Sequence, residues 1–404
     1  MFKINLFFKW TFITLTVIYA VLTVIYIINI PEGRGDEFLF ILDLELIETK
    51  GWINAIKKNI SIPYMVLAYP FTLFLKKHVV LRVVSLLLNL GLIIYFKRRN
   101  NPPLSFFAFF AFYLSSTIFF FYGTNDTLFN TGLIIFLNEV FQLYENDKFN
   151  SKIAFSALII AFFTRALILV YLPVIIIAFY IIYKYRNSFK LKLILPVVLL
   201  LFFIGVNLPS LRENGKLSYD LKSPPETTTA TWVQRQYLAQ LMVNKGALRK
   251  GSHPTWGETQ AYIEKNGKKS LPVGLIDGVL LDLKLTFKEF FKDIFSSLVS
   301  TFRQLGGIII CVIVFPLMYY FKHRKLSYQL FIPVSVILML AIFSFIIISN
   351  VELRWLASVF VMAIVWYVNM EQKGKLAQKY SIINYLMFIV LVCYGGFRMF
   401  NKII

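Results

Sequence analysis

INLFFKWTFITLTVIYAVLTVIYIINI (residues 4–30), followed at once by Pro31-Glu32-Gly33-Arg34-Gly35-Asp36-Glu37, decides how the rest of the chain is read. An apolar run of this length crosses a bilayer as a helix, which needs about 20 residues. It lacks a small-residue cleavage site and is too long for a signal-peptide core, so it reads as an uncleaved first span. The acidic pair beyond it then lies at a membrane surface, where charges are costly to hold without a use. An amphipathic stretch to about Trp52 follows.

The same pattern repeats along the 404 residues, which are 58% hydrophobic and only 16% charged, against about 25% charged in soluble domains. Further apolar runs fall at about 80–96, 103–122, 127–144, 153–164, 167–183, 191–207, 303–321, 327–349, 354–370 and 381–397. The net charge of +21 comes from Lys and Arg between these runs. That is the signature of membrane topology and anionic headgroups, and no basic soluble domain is present to hold nucleic acid. Cys311 and Cys393 lie inside apolar runs and read as free thiols, and the three histidines show no metal-ligand spacing.

A stretch at 60–76 is interrupted by Pro63 and Pro70. If it does not span, the basic groups near Lys3, Lys97, Lys148, Lys184, Lys322 and Lys373 all fall on the cytoplasmic side with the N-terminus. The expectation is therefore an all-α polytopic membrane protein with about eleven spans. Juxtamembrane helices occupy the first outer loop (31–79), and one long outer segment is present. Three parts follow: 1–207 with the acidic motif, a mostly helical extracytoplasmic segment 208–302, and the last spans in 303–404. The end of the long segment, Ile276 to Arg303, alternates apolar and charged residues like an interfacial helix.

Asp36 and Glu37 are candidates for a general base and a partner that orients an acceptor or holds a metal. A carboxylate beside a low-dielectric surface has raised proton affinity. A solvated acidic loop, neutralised with Glu32 and Arg34 beside it, is the bland alternative. Asp126, in the turn after Gly123, is either a second site acid or a turn former and helix cap. Arg165 meets an anion or snorkels at a helix end; Arg354 does the same or pairs with Glu352. Lys58 serves a phosphate or faces headgroups. Together Asp36, Glu37 and Asp126 with Arg165, Arg354, Lys58 and Arg34 make a two-pole site. One pole removes a proton, and the other holds a departing phosphate by fixed charge.

Taken in order, these features resemble the membrane glycosyltransferases of the C-type fold (GT-C), which use polyprenyl-phosphate sugars, among them protein O-mannosyltransferases and lipid A aminoarabinose transferases. The matching stretches are Asp36-Glu37-Phe38-Leu39-Phe40 through Gly51-Trp52, Ile62-Pro63-Tyr64 through Tyr69-Pro70, and Leu81-Arg82-Val83-Val84 to Lys97-Arg98-Arg99. Asp126, Thr164-Arg165-Ala166 with Leu172-Pro173, and Glu352-Leu353-Arg354-Trp355 complete the pattern, which covers roughly 1–180 and 345–370. The family's paired prolines before the tyrosine are reduced to Pro63, which separates Lys58 from the family's phosphate-binding lysine.

The resemblance implies transfer of a sugar from a polyprenyl-phosphate donor to a hydroxyl acceptor. That acceptor is a glycan or lipid-linked glycan sooner than a protein. The enzyme would sit in a bacterial inner membrane with its site facing outward. No cofactor is certain from the resemblance. A divalent metal is possible, with Glu37 and Asp126 as its ligands. The other classes in play are a lipid-linked glycan polymerase, for which Arg235 and Arg249 would matter, and a flippase or transporter. The glycosyltransferase reading expects the Asp36 and Asp126 carboxylates within roughly 12 Å, room for an acceptor between them.

Overall fold

Proline and glycine set several helix limits in this chain, as at the starts of the helices Ile62–Ala68, Leu104–Thr117 and Leu172–Lys184 and the ends of Ile194–Asn214 and Trp256–Asn266. In the computed structural model, which describes residues 2–33, 35–219, 228–324 and 327–404, the described residues form helices and no strand. The first group is α1 (Phe2–Ile28), α2 (Glu37–Lys57), α3 (Ile62–Ala68), α4 (Lys77–Arg99), α5 (Leu104–Thr117), α6 (Asp126–Asn146), α7 (Ser151–Thr164), α8 (Leu172–Lys184) and α9 (Ile194–Asn214). Next come α10 (Trp232–Asn244), α11 (Trp256–Asn266), α12 (Leu275–Leu281) and α13 (Leu283–Leu305). The last are α14 (Gly307–His323), α15 (Phe331–Phe345), α16 (Ala357–Gln372) and α17 (Gln378–Ile403). Gly51, at φ 77°, kinks α2. Gly306, at φ 52°, breaks α13 from α14, and a Cβ there would lie 2.6 Å from the Phe388 ring.

Among the described residues, six helical stretches are long and apolar enough to cross a membrane, or seven if α13 and α14 are one broken span. The chain is a multi-pass membrane protein. The expected count of about eleven is not reached on length and composition. α5, α7 and α8 have 14, 14 and 13 residues, short of the ~20 a span needs. α6 is long enough but carries Asp126, Glu139 and Glu145. The 60–76 stretch forms α3 and a short 3-10 turn to Leu73, which together are shorter than the ~20 residues a span needs.

The chain divides into two units that differ from the three consecutive parts expected. Unit one is Met1–Asp220, Phe302–Val336 and Arg354–Ile404; unit two is Leu221–Thr301 and Ile337–Leu353. The two ends of the chain share unit one because α17 packs along α1, with Phe12 against Tyr385 and Phe388 and Gly395 against Tyr19. α6 and α16 are buried along nearly their whole lengths and form the centre of this unit. In unit two, α10 and α11 each start in a capping box, Thr231 with Gln234 and Thr255 with Glu258. They pack on a small core of Tyr237, Leu238, Ile263, Leu271 and Ile347.

Unit one has two chemically different ends. Where α4 and α6 finish, Glu139 is buried and takes Arg99 Nε at 2.8 Å, Arg99 Nη2 at 2.6 Å and the Tyr95 hydroxyl at 2.8 Å. Asn100 and Asn138 exchange amide hydrogen bonds of 2.9 Å beside it. This end carries the basic turn Lys97-Arg98-Arg99. The candidate site lies at the other end, about 20 Å back along α6 from Glu139 to Asp126 at 1.5 Å per residue.

Candidate functional site

Asp36, Asp126, Arg165 and Arg354, from four separate stretches of unit one, meet at the start of α6. Arg354 spans both acids: Nη2 lies 2.7 Å from Asp36 Oδ2, and Nη1 lies 3.1 Å from Asp126 Oδ2. Arg165 pairs with the other oxygen of Asp126. One guanidinium thus bridges the two carboxylates, well inside the separation that the sequence reading expected.

Local structure explains why each group is available. Asp36 precedes α2 but makes no side-chain capping bond, so its carboxylate is left to Arg354. Asp126 is the first residue of α6, where unpaired backbone N–H groups favour negative charge. Arg165 sits in an extended residue between α7 and the next short turn. Ser61 Oγ (2.9 Å) and Asn125 Nδ2 (3.3 Å) both donate to the Thr164 carbonyl and fix that corner. Gly123 lets the turn before α6 close on α4, since a Cβ there would stand 2.2 Å from that of Leu81.

A further layer positions Arg354. Asn130, one turn into α6, donates to the Asp126 carbonyl at 2.9 Å and reaches the Arg354 carbonyl at 3.5 Å. Its own oxygen accepts from Ser358 Oγ at 2.6 Å. The Tyr171 hydroxyl donates to the Trp355 carbonyl. Sequence reading passed over Asn130, Ser358 and Tyr171. An Asn and a Ser in apolar helices are only weak signals, and their pairing becomes visible once α6 and α16 are placed.

Glu37 is used differently. Its two oxygens take Arg82 Nε at 2.7 Å and Arg82 Nη2 at 2.8 Å, and its side chain is 1% exposed. Arg82 also donates to the carbonyls of Ile30 and Pro31, both at 2.9 Å, which closes the end of α1. Glu37 is therefore a clamp between α1, α2 and α4, and not a second site acid beside Asp36. The sequence signal for this pair was present: an arginine inside the 80–96 run requires a partner.

Lys58 caps the opposite end of α2, beyond the Gly51 kink, and is exposed. Arg34 lies outside the described residues. Arg235, in unit two, donates to the Pro254 carbonyl at 2.7 Å and stacks 4.9 Å over the Trp256 ring, so it serves that unit's own fold. Arg249 is exposed.

The donor set does not fit a divalent metal. Each site acid already faces an arginine, Glu37 is consumed by Arg82, and no three acidic, His or Cys groups converge among the described residues. What the four charges can do is accept a proton at a carboxylate and hold an anion between two guanidinium groups. Asp126 is almost fully buried, whereas the Asp36, Arg165 and Arg354 side chains are 23%, 22% and 18% exposed. A solute can reach these three. No protein-family model, curated protein or solved structure matches the chain.

Proposed function

We propose that this protein is a membrane glycosyltransferase that moves one sugar from a polyprenyl monophosphate carrier to a hydroxyl acceptor. The observation that carries the reading is the bridging of Asp36 and Asp126 by Arg354, with Arg165 alongside. A phosphate diester competes for such guanidinium forks, because it offers the same pair of oxygens as a carboxylate. When a donor phosphate takes Arg354, Asp36 loses its partner there and turns to the acceptor. The acceptor hydroxyl gives its proton to Asp36, its oxygen bonds to the anomeric carbon from the opposite side, and the carbon–phosphate oxygen bond breaks. The configuration inverts, and the polyprenyl phosphate leaves with its charge held by Arg165 and Arg354. No metal step is needed.

The basic turn Lys97-Arg98-Arg99 lies at the far end of α4 from this group, which supports an outward-facing site by the positive-inside rule. On this reading α14 and the helices α5, α6, α7 and α8 also cross, adding five to the six long apolar helices and giving the eleven-span, C-type arrangement in a bacterial inner membrane. The acceptor is a glycan or lipid-linked glycan. The test is binding of undecaprenyl phosphate to the full chain in nanodiscs, with release of that lipid from a panel of polyprenyl-phosphate hexoses and pentoses. Arg165→Ala and Arg354→Ala should each weaken binding at least tenfold. Native affinity in both variants would remove the phosphate site and the reading with it.

A further inference from the structure

α13 is built inside out for a helix of a water-soluble unit. Its polar side chains Thr286, Glu289, Asp293, Ser297 and Thr301 are buried. Leu283, Phe287, Phe291, Phe295 and Val299, spaced one turn apart, are exposed, with Phe291 at 67% and Phe295 at 70%. The inward face is held by named partners of unit two. Glu289 accepts from Gln240 Nε2 and Asn244 Nδ2, both at 2.8 Å, and Lys250 reaches Ser296 Oγ at 2.9 Å. Phe290 stacks on Phe345 at 4.1 Å between ring centres. Rolling α13 to hide the phenylalanines would strip Glu289 of both amide donors, leaving it only Lys292 Nζ of its own helix at 3.0 Å.

The exposed stripe runs about 24 Å, sixteen steps of 1.5 Å from Leu283 to Val299. One residue further round at successive turns stand Lys284, Lys288 and Lys292, all exposed. An apolar row edged by lysines is the pattern of a helix lying in a leaflet, with aromatic rings among the acyl chains and ammonium groups at the phosphates. The chain also continues through Gly306 directly into α14, whose Ile310, Val314, Leu317 and Phe321 are exposed apolar residues. We infer that the Leu283–Val299 stripe is a lipid-contact face for an anionic leaflet, with Lys284 and Lys288 reading its headgroups. α13 then ties unit two to the membrane surface by its own apolar side. The inference is independent of the reaction proposed above.

The test uses the full chain in nanodiscs of phosphatidylcholine mixed with phosphatidylglycerol. Cys311→Ser and Cys393→Ser remove the native thiols, and single nitroxide labels are placed at Phe291, Phe295 and, as an aqueous control, the exposed Lys268. Labels at Phe291 and Phe295 should collide with oxygen far more than with a water-soluble nickel chelate, and Lys268 should show the reverse. Free access of nickel at the stripe overturns the inference. So does exclusion of both reagents, which would mean a second copy or another protein covers it. Removing phosphatidylglycerol, or Lys284→Gln with Lys288→Gln, should lower the oxygen-to-nickel ratio at Phe291 severalfold; an unchanged ratio overturns the headgroup contact. Should label placement disturb folding, Phe295→Trp in lipids brominated on the acyl chain reads the same contact, as quenching beyond that of the native protein.

Discussion

Replacing Glu37 by Gln should act on the stability of this protein before it touches any chemistry. The substitution keeps the side chain's shape and one acceptor oxygen but removes the charge. Arg82, with 11% of its side chain exposed, is then left as a buried cation facing a neutral amide and the carbonyls of Ile30 and Pro31. Breaking a buried pair by removing one partner costs about 3–5 kcal/mol. Folded proteins hold only about 5–15 kcal/mol in total, so the loss takes about a fifth or more of what a typical domain has. Arg82→Lys should be intermediate: it keeps the charge, but one ammonium cannot serve both Glu37 oxygens and two carbonyls at once. Asp36→Asn is the matched control, because its carboxylate is partly exposed and such a pair is worth about 1 kcal/mol or less. The assay is the apparent unfolding midpoint of each purified variant in one detergent, read by intrinsic fluorescence, with turnover measured in parallel. A Glu37→Gln protein that unfolds with the native one yet loses turnover would refute the clamp and return Glu37 to the chemistry.

In the same turnover assay Asp36→Asn should lower the rate by about 10²–10⁴-fold, the usual worth of a general base, while undecaprenyl phosphate binding is kept; full turnover would leave the mechanism without its base. Gly132→Ala should destabilise by about 1–3 kcal/mol through overpacking, because its Cβ would stand 2.6 Å from the Ala157 carbonyl oxygen between α6 and α7. Gly205→Ala, in open space on α9, should instead raise the midpoint. Thiol labelling of intact cells on a cysteine-free background should reach Lys268→Cys and not Arg98→Cys, and the reverse pattern would put the site in the cytoplasm. Glu258 accepts from the Thr255 amide and hydroxyl, at 2.6 and 2.9 Å, and these bonds hold its carboxyl below its usual range. The cap therefore adds stability above the ordinary carboxylate pKa and loses it as the pH falls through the depressed value. Protection from hydrogen exchange at the start of α11, taken relative to the intrinsic rate at each pH, should fall there in the native protein but stay constant with pH in Glu258→Gln.

Charge placement was the most legible part of the chain. Asp36, Asp126, Arg165 and Arg354 each interrupt or border an apolar run, and membranes tolerate such groups only where they meet. Which of two adjacent acids would join them was not legible. Asp36 and Glu37 stand at a helix start, where neighbouring residues point about 100° apart, and only the position of α4 sends Glu37 to Arg82. Span number suffered from the opposite problem. The 103–122 run stays apolar straight through the end of α5 at Thr117, where Ile118 turns to φ 59° and a 3-10 turn begins. Hydrophobicity marks what is out of water and carries no sign of where a helix stops inside it. Lys58 was placed with the site by its sequence neighbours, and the length of α2 takes it to the other end of that helix.

The two ion-pair systems side by side explain why the site is argued from one and not the other. Both combine acids with arginines, and both begin at the same dipeptide. Glu37 and Arg82 are shut in, bidentate, and supplemented by carbonyls that leave no donor direction idle. Such a closed arrangement holds helices together, and a ligand could enter only by unfolding it. The Asp36–Arg354–Asp126–Arg165 group joins four stretches of chain yet keeps about a fifth of three side chains open. A staple gains nothing from that exposure, since water weakens each pair toward the small values of surface salt bridges. An anion-exchange site requires it, because the incoming phosphate must reach the guanidinium groups and the displaced carboxylate must have somewhere to turn. Exposure, more than charge, separates the candidate active group from the structural one.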